Sequence, residues 1–287
     1  MDGAIGIIGG SGLYDLDGLT DVREVRYDTP YGPPSDALMH GKLGDANLVF
    51  LPRHGKGHKI LPGDIPFRAN IHALKQAGVS WVISVSAVGS LREAIVPGHA
   101  VIVDQYIDRT KARPSTFFGD GVIAHIGFGD PTCTTLNRYL AEACRAVDVE
   151  MHETGTYVCM EGPAFSTRAE SELYRAWGAH VIGMTALPEA KLAREASMSY
   201  ATLAFATDYD CWHTGHDAVT VEQVIAVLTA NVEKGRKVVA DVVGRIAAHE
   251  GPAPHHRALQ TALLTPIDAI DEAARARLGP ILAPYLE

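Results

Sequence analysis

Short β-branched, apolar runs alternate along the chain with longer amphipathic ones, the pattern of βαβ units built around a central sheet. The runs at 5–8, 46–51, 81–86, 99–103 and 180–184 predict strands, and 199–207 predicts a further, buried one. Apolar positions at helical spacing predict helices over 65–77, 134–147, 167–177, 189–196 and 221–248. Between 80 and 88, small residues are mixed with aliphatic ones, as in a strand that ends in a ligand-facing turn. Pro- and Gly-rich stretches at 29–36, 62–66 and 113–131 read as surface or site loops. Residues 251–256 form a joint before a last helical segment at 266–278. The expectation is one α/β domain over 1–250, with 251–287 a C-terminal helical extension packed on it. No internal repeat or low-complexity tract interrupts this pattern.

Composition narrows the function classes. The 287 residues are 47% hydrophobic and 21% charged, enough for a sizeable packed core and against wholesale disorder. A net charge of −9 argues against nucleic-acid and membrane-surface partners, which call for a basic face, yet leaves a small anionic substrate open. Cys133, Cys144, Cys159 and Cys211 stand far apart, with neither a CxxC pair nor metal-ligand spacing, so reduced thiols and a cytoplasmic setting are expected. The first ten residues lack the basic start of a signal peptide and carry too short an apolar run to anchor the chain.

Several strand ends carry anion-binding chemistry. The turn Gly6-Ile7-Ile8-Gly9-Gly10-Ser11-Gly12 lets backbone amides approach an anion, and Ser11 adds a hydroxyl. It is neither the GxGxxG fingerprint nor a P-loop, and a glycine turn after a strand, taken alone, is more often structural than anion-binding. Arg53-His54-Gly55 offers a planar multi-donor group beside a second donor, although an isolated Arg-His pair also suits a solvated loop. Ser84, Ser86 and Ser90 close another predicted strand, and Thr185 follows a fourth. Ligands of open α/β sheets bind at the carboxyl ends of strands, so these groups can converge on one anion.

Asp208 and Asp210 follow the apolar run at 199–207. Carboxylates there are costly unless paired, hydrogen-bonded or protonated. Spaced two apart, they point to opposite sides if the strand continues. A capped turn is the plain alternative, less fitting beside Cys211 and Trp212. Glu161-Gly162-Pro163 and Phe165 could stack on a flat ligand. No HExxH, GxSxG or nucleophilic triad pattern competes for the chemistry.

The ordered motifs carry a family likeness. They include Gly6-Ile7-Ile8-Gly9-Gly10-Ser11-Gly12-Leu13, Thr29-Pro30-Tyr31-Gly32-Pro33-Pro34-Ser35-Asp36, Arg53-His54-Gly55 and Gly89-Ser90-Leu91-Arg92-Glu93. They continue with Asp104-Gln105-Tyr106-Ile107-Asp108-Arg109-Thr110, Glu161-Gly162-Pro163, Phe165-Ser166-Thr167-Arg168-Ala169-Glu170-Ser171 and 206–212. From about residue 5 to 241 the chain resembles the 5′-methylthioadenosine phosphorylases of the trimeric purine nucleoside phosphorylase superfamily. The resemblance implies a single-domain nucleoside-phosphorylase-like fold, a central mixed β-sheet flanked by helices. It implies phosphorolysis of 5′-methylthioadenosine to adenine and 5-methylthioribose 1-phosphate, with phosphate as co-substrate and no metal or organic cofactor. A homotrimer, or a dimer of trimers, follows from the same likeness.

Carried over by position, Ser11, Arg53, His54, Ser86 and Thr185 match the phosphate-binding residues, where relatives often have threonine at 11 and 86. Asp208 matches the carboxylate that contacts the purine, with Asp210 beside it as the second catalytic candidate. Ala87, Phe165, Ile182 and Met184 complete the base and ribose surroundings, Val221 and Val224 match the apolar wall around the 5′-methylthio group, and His125 matches a residue presented to the neighbouring subunit's site. An aspartate at 208, protonated in a dry pocket, could donate to purine N7 while accepting from the 6-amino group, whereas an amide would suit a 6-oxopurine. Ala164 stands where relatives often carry arginine, 183–186 replaces an Asn-Met-Thr-Thr pattern, and the 114–131 loop differs in length; these departures bear on substrate breadth. The alternatives are a phosphorylase of 6-oxopurine nucleosides or methylthioinosine, a broad purine nucleoside phosphorylase including adenosine, a water-using nucleosidase, and a silent nucleotide-binding module.

Overall fold

The computed structural model describes residues 3–213 and 221–286, with the backbone alone for Ser11 and 221–226. In chain order its strands are β1 (Ala4–Gly9), β2 (Leu19–Val25), β3 (Leu38–Leu43), β4 (Ala46–Pro52), β5 (Val79–Ser90) and β6 (Ala100–Val103). There follow β7 (Gln105–Arg109), β8 (Met151–His152), β9 (Thr156–Met160), β10 (Val181–Gly183) and β11 (Ser199–Asp208). All eleven join one mixed sheet. The flanking helices are α1 (Phe67–Gln76), α2 (Thr134–Ala146), α3 (Arg168–Ala176), α4 (Ala186–Glu195), α5 (Val221–Ala247) and α6 (Glu272–Leu278).

Parallel pairing runs from β4 through β1 and β5 to β11. Strands covered on both faces read as continuous apolar runs, and β1 and β11 are buried almost end to end. Alternation along β5 sends Trp81 and Ile83 to one core and Val82 to the other. Its last two residues also pair antiparallel with β10, Gly89 with Ile182 and Ser90 with Val181. The sheet therefore forks at the end of β5, with β10, β9 and β7 on one branch and β11, β6 and β8 on the other.

Each of the six predicted strands is present, with ends shifted by a few residues. Five strands were not anticipated. β2 is an edge strand exposed along most of its length and carries Asp21, Arg23 and Glu24, so no apolar run marks it. β7 is likewise half-exposed, while β8 has two residues and β9 five, too few for a periodic signal. The predicted helices are also present. α3 starts on a capping box in which Glu170 N–H donates to Thr167 Oγ1 and Thr167 N–H donates back to Glu170. The segment at 266–278 is broken into a 3-10 turn (Ile267–Ala269) and α6, because Asp271 accepts from Ala274 N–H and starts a new helix. Leu259, Ala262, Ile270, Leu278 and Leu282 from this C-terminal part are buried in the same core as Ile71, Val82 and Leu192. Among the described residues no helix is long and apolar enough to cross a membrane.

Candidate functional site

A cleft of about 600 Å³ lies at the fork of the sheet. Gly9 and Gly10 reach it from β1, Arg53 and His54 from β4, and Ser86, Ala87 and Gly89 from β5. Ile182, Met184 and Thr185 come from β10 and the turn after it, Asp208 and Asp210 from β11, and Phe165 from the loop before α3. Leu228, Asn231 and Val232 of α5 complete the wall. His125 is elsewhere, in a separate hollow of about 490 Å³ with Thr116, Phe118, Val122 and Glu195. The side chains of Ser11, Val221 and Val224 lie outside the described residues.

One end of the cleft gathers hydrogen-bond donors with little net charge. Arg53 is buried, and its guanidinium meets Glu189 bidentately, Nε to Oε2 at 2.8 Å and Nη2 to Oε1 at 3.1 Å. Nη2 also donates to Ser84 Oγ at 2.7 Å and Nη1 to the Val85 carbonyl at 3.1 Å. Of five N–H groups, one on Nη1 is left over. Burial works against the charge of Arg53, and the Glu189 carboxylate overrides it, so the guanidinium is held firmly protonated. Glu189 accepts further bonds from Ser84 Oγ and Tyr200 OH, so Ser84 belongs to the floor beneath the cleft and not to its lining.

His54 is fixed by its own loop. The carbonyl of His54 accepts from Lys59 and Ile60 N–H, while its ring Nδ1 lies 2.8 Å from the Ile60 carbonyl. Burial, with help from the charge of Arg53, pushes His54 down to about 4, so the ring is neutral at physiological pH. Ser86 Oγ and Thr185 Oγ1, both buried, stand 3.4 Å apart across the junction of β5 and β10. Gly183 makes room here: a Cβ on it would sit 2.0 Å from the hydroxyl of Tyr157, which accepts from Thr185 N–H.

The opposite end is acidic. β11 stops at Asp208, paired to Gly89 after a register shift. A continuing strand would have turned Asp208 and Asp210 apart. Instead the chain turns back with Asp210 at a φ of 53°, and both carboxyls line the cleft. Asp208 Oδ1 accepts from Asp210 N–H at 2.7 Å and Oδ2 lies 2.7 Å from Thr207 Oγ1. Gly89 permits this, since a Cβ there would come within 3.1 Å of Asp208 Oδ1. Burial raises the Asp210 carboxyl, the Ser171 hydroxyl pulls it back, and the charge of Asp208 adds to the rise. No full hydrogen bond closes: Asp210 Oδ2 and Ser171 Oγ are both buried and unpartnered. Trp212 Nε1 donates to the Ser90 carbonyl at 2.7 Å and pins the turn to β5.

Three contributors went unread in the sequence. Glu189 sits in the apolar stretch Ala186-Leu187-Pro188-Glu189-Ala190, where a lone carboxylate on a buried face was the available signal. Arg113 is buried in the Pro-rich loop and ties Glu161 to the carbonyls of Met184 and Leu187, so it clamps both segments beside Met184. Asn231 donates to the Ala206 carbonyl, while its Oδ1 is buried without a partner. Nothing local marked either residue.

The model of the phosphorylase superfamily matches residues 4–244. The S-methyl-5′-thioadenosine phosphorylase of Thermosynechococcus vestitus is 56% identical, with both chains covered completely. A methylthioadenosine phosphorylase structure from an antarctic soil metagenomic library superposes with a TM-score of 0.94 at 48% identity, over 98% of this chain and 100% of that one. The methylthioadenosine phosphorylase of Schistosoma mansoni, solved in complex with adenine, has a TM-score of 0.81 at 37% identity, over 86% and 93%.

Proposed function

The chain belongs to the phosphorylase superfamily, and from that premise we propose that it is an enzyme splitting S-methyl-5′-thioadenosine with inorganic phosphate into adenine and 5-methylthioribose 1-phosphate. The observation that carries this is the pairing, within one cleft, of the donors Arg53, Ser86 and Thr185 with the acids Asp208 and Asp210 at the other end. A nucleoside lying between them presents its anomeric carbon to the anion and its purine to the carboxyls.

In this reaction a phosphate oxygen bonds to the anomeric carbon as the bond to N9 breaks and its electron pair passes into the purine. The proton that phosphate gives up in becoming an ester ends on adenine. Two demands follow: the phosphate must be held in line, and the charge growing on the purine must be neutralised. Arg53, His54, Ser86, Thr185 and the turn at Ser11 serve the first. Asp208 and Asp210 serve the second. Asp208 already accepts two hydrogen bonds, the disposition of a carboxylate that receives the 6-amino group. Asp210, raised by burial and with a free oxygen, is the better placed of the two to hold the proton for N7.

Leu228 and Val232 give the α5 wall an apolar character, and Val221 and Val224 precede them on the same helix. Such a wall favours a methylthio group over a free 5′-hydroxyl. An apolar pocket rejects a hydroxyl by only about 10², so adenosine is a slower substrate. His125, remote from the cleft of its own chain, acts across a subunit boundary in a homotrimer; exposed Ile123 and Leu264, joined by a backbone bond, support a contact there. Four free cysteines accord with a cytoplasmic enzyme. Turnover of methylthioadenosine, adenosine, inosine and methylthioinosine side by side tests the assignment: methylthioadenosine leads and the 6-oxopurines trail. A lead by inosine or methylthioinosine would overturn it.

A further inference from the structure

We propose that His54 recognises phosphate by the proton it carries, accepting a hydrogen bond from the phosphate hydroxyl at Nε2, so that the cleft discriminates against anions of the same shape and charge that lack that proton. The inference rests on the phosphorolytic reading above.

The argument begins with the ring's tautomer. A carbonyl oxygen only accepts, so the 2.8 Å contact between Nδ1 and the Ile60 carbonyl places the hydrogen on Nδ1. That carbonyl is held in place by the loop itself, because Ile60 N–H and Lys59 N–H both bond the His54 carbonyl and His58 N–H bonds Gly55. The His58 ring stacks on the His54 ring with centroids 4.2 Å apart. A second proton on Nε2 would put a cation in a partly buried place beside Arg53, and burial opposes it. Nε2 is therefore a bare lone pair, and among the described residues nothing pairs with it.

Charge on the rest of the cradle points the same way. Among the described lining residues Arg53 is the one permanent cation, and Glu189 already matches it at 2.8 Å. Ser86 and Thr185 contribute neutral hydroxyls, and Asp208 and Asp210 lie in the same cleft. A cradle with no surplus positive charge cannot select an anion by charge. It selects by matching donors to acceptors, and phosphate at neutral pH retains a hydroxyl that an acceptor can read. Sulfate and monofluorophosphate have nearly the same size and the same double charge, but both are fully deprotonated. Against either one, the His54 lone pair would face another lone pair.

The test uses the whole enzyme turning over methylthioadenosine at neutral pH, with sulfate and monofluorophosphate as competitors of phosphate and arsenate as a protonated substitute. The expected result is a Ki for sulfate and for monofluorophosphate roughly tenfold to a hundredfold above the KM for phosphate, the factor for leaving an acceptor unpaired once the bound anion covers it, while arsenate supports turnover at concentrations like those of phosphate. In His54→Lys, whose ammonium only donates, the preference for phosphate over sulfate falls to within a few fold. Sulfate or monofluorophosphate competing at the KM of phosphate in the wild type would overturn the proposal, whether or not the variant folds. An unchanged preference in a folded His54→Lys would overturn it too. Turnover that needs no phosphate would instead remove the phosphorolytic reading, and this inference with it.

Discussion

The backbone N–H of Asp210 donates to the Oδ1 of Asp208 at 2.7 Å, so the second aspartate orients the first. That bond exists because the chain leaves the strand at Asp208 and turns through a left-handed residue at 210. Their two carboxyls thereby differ: both oxygens of Asp208 accept hydrogen bonds, while Asp210 keeps a buried oxygen unfilled.

Asp208→Asn replaces an acceptor by a group whose NH₂ donates. Turnover of methylthioadenosine should fall by roughly tenfold to a hundredfold, the worth of a hydrogen bond to a charged group. Because the amide can donate to O6, activity on inosine should fall less. Steady-state rates on both substrates check this, and an unchanged ratio between them would remove Asp208 from base selection.

Glu189→Gln leaves the buried guanidinium of Arg53 without its counter-charge. Breaking a buried pair from one side costs about 3–5 kcal/mol, which equilibrium urea unfolding would register as a lower midpoint at unchanged slope. Adding Arg53→Met should recover part of that loss, since the uncompensated charge is gone. A single variant as stable as the wild type would show that Glu189 does not hold Arg53 in place.

How much of this was legible in the sequence depends on burial. Strands such as β1 and β11, covered on both faces, announce themselves as apolar runs, whereas β2 is an exposed edge and looks like a loop. Site groups at strand ends were readable because Arg53, Ser86, Thr185 and Asp208 each follow such a run. What could not be read is pairing over distance. Arg53 and Glu189 are 136 positions apart, and their contact decides that the cradle is nearly neutral. The turn that sets Asp210 against Asp208 was equally hidden, because residue spacing along a strand says nothing about where the strand stops.

Acid should destabilise the fold. Burial holds His54 and His255 down at about 4, against an unfolded value near 6.5. Between those values the unfolded chain binds more protons than the native one, so stability falls as pH drops from about 6.5 to about 4. Glu195 works the other way: burial raises it to about 6, so its contribution is lost as pH rises from about 4.5 through 6. His40, His72, His152 and His180 are lowered by burial in the same sense, and Asp210 is raised like Glu195, so histidines outnumber raised carboxyls and the net trend over this window is loss of stability toward acid. Thermal midpoints measured from pH 7 to pH 4 check the sign, and a flat or rising curve toward acid would contradict the neutral state of these rings.

The most direct test of phosphorolysis follows the sugar. Purified protein is incubated with methylthioadenosine in phosphate-free buffer and again with phosphate, and the products are identified by mass. Adenine should appear only when phosphate is present, accompanied by an equal amount of 5-methylthioribose 1-phosphate. Adenine released in water alone, together with free methylthioribose, would contradict the assignment of Arg53, His54, Ser86 and Thr185 to the attacking phosphate and make the enzyme a hydrolase.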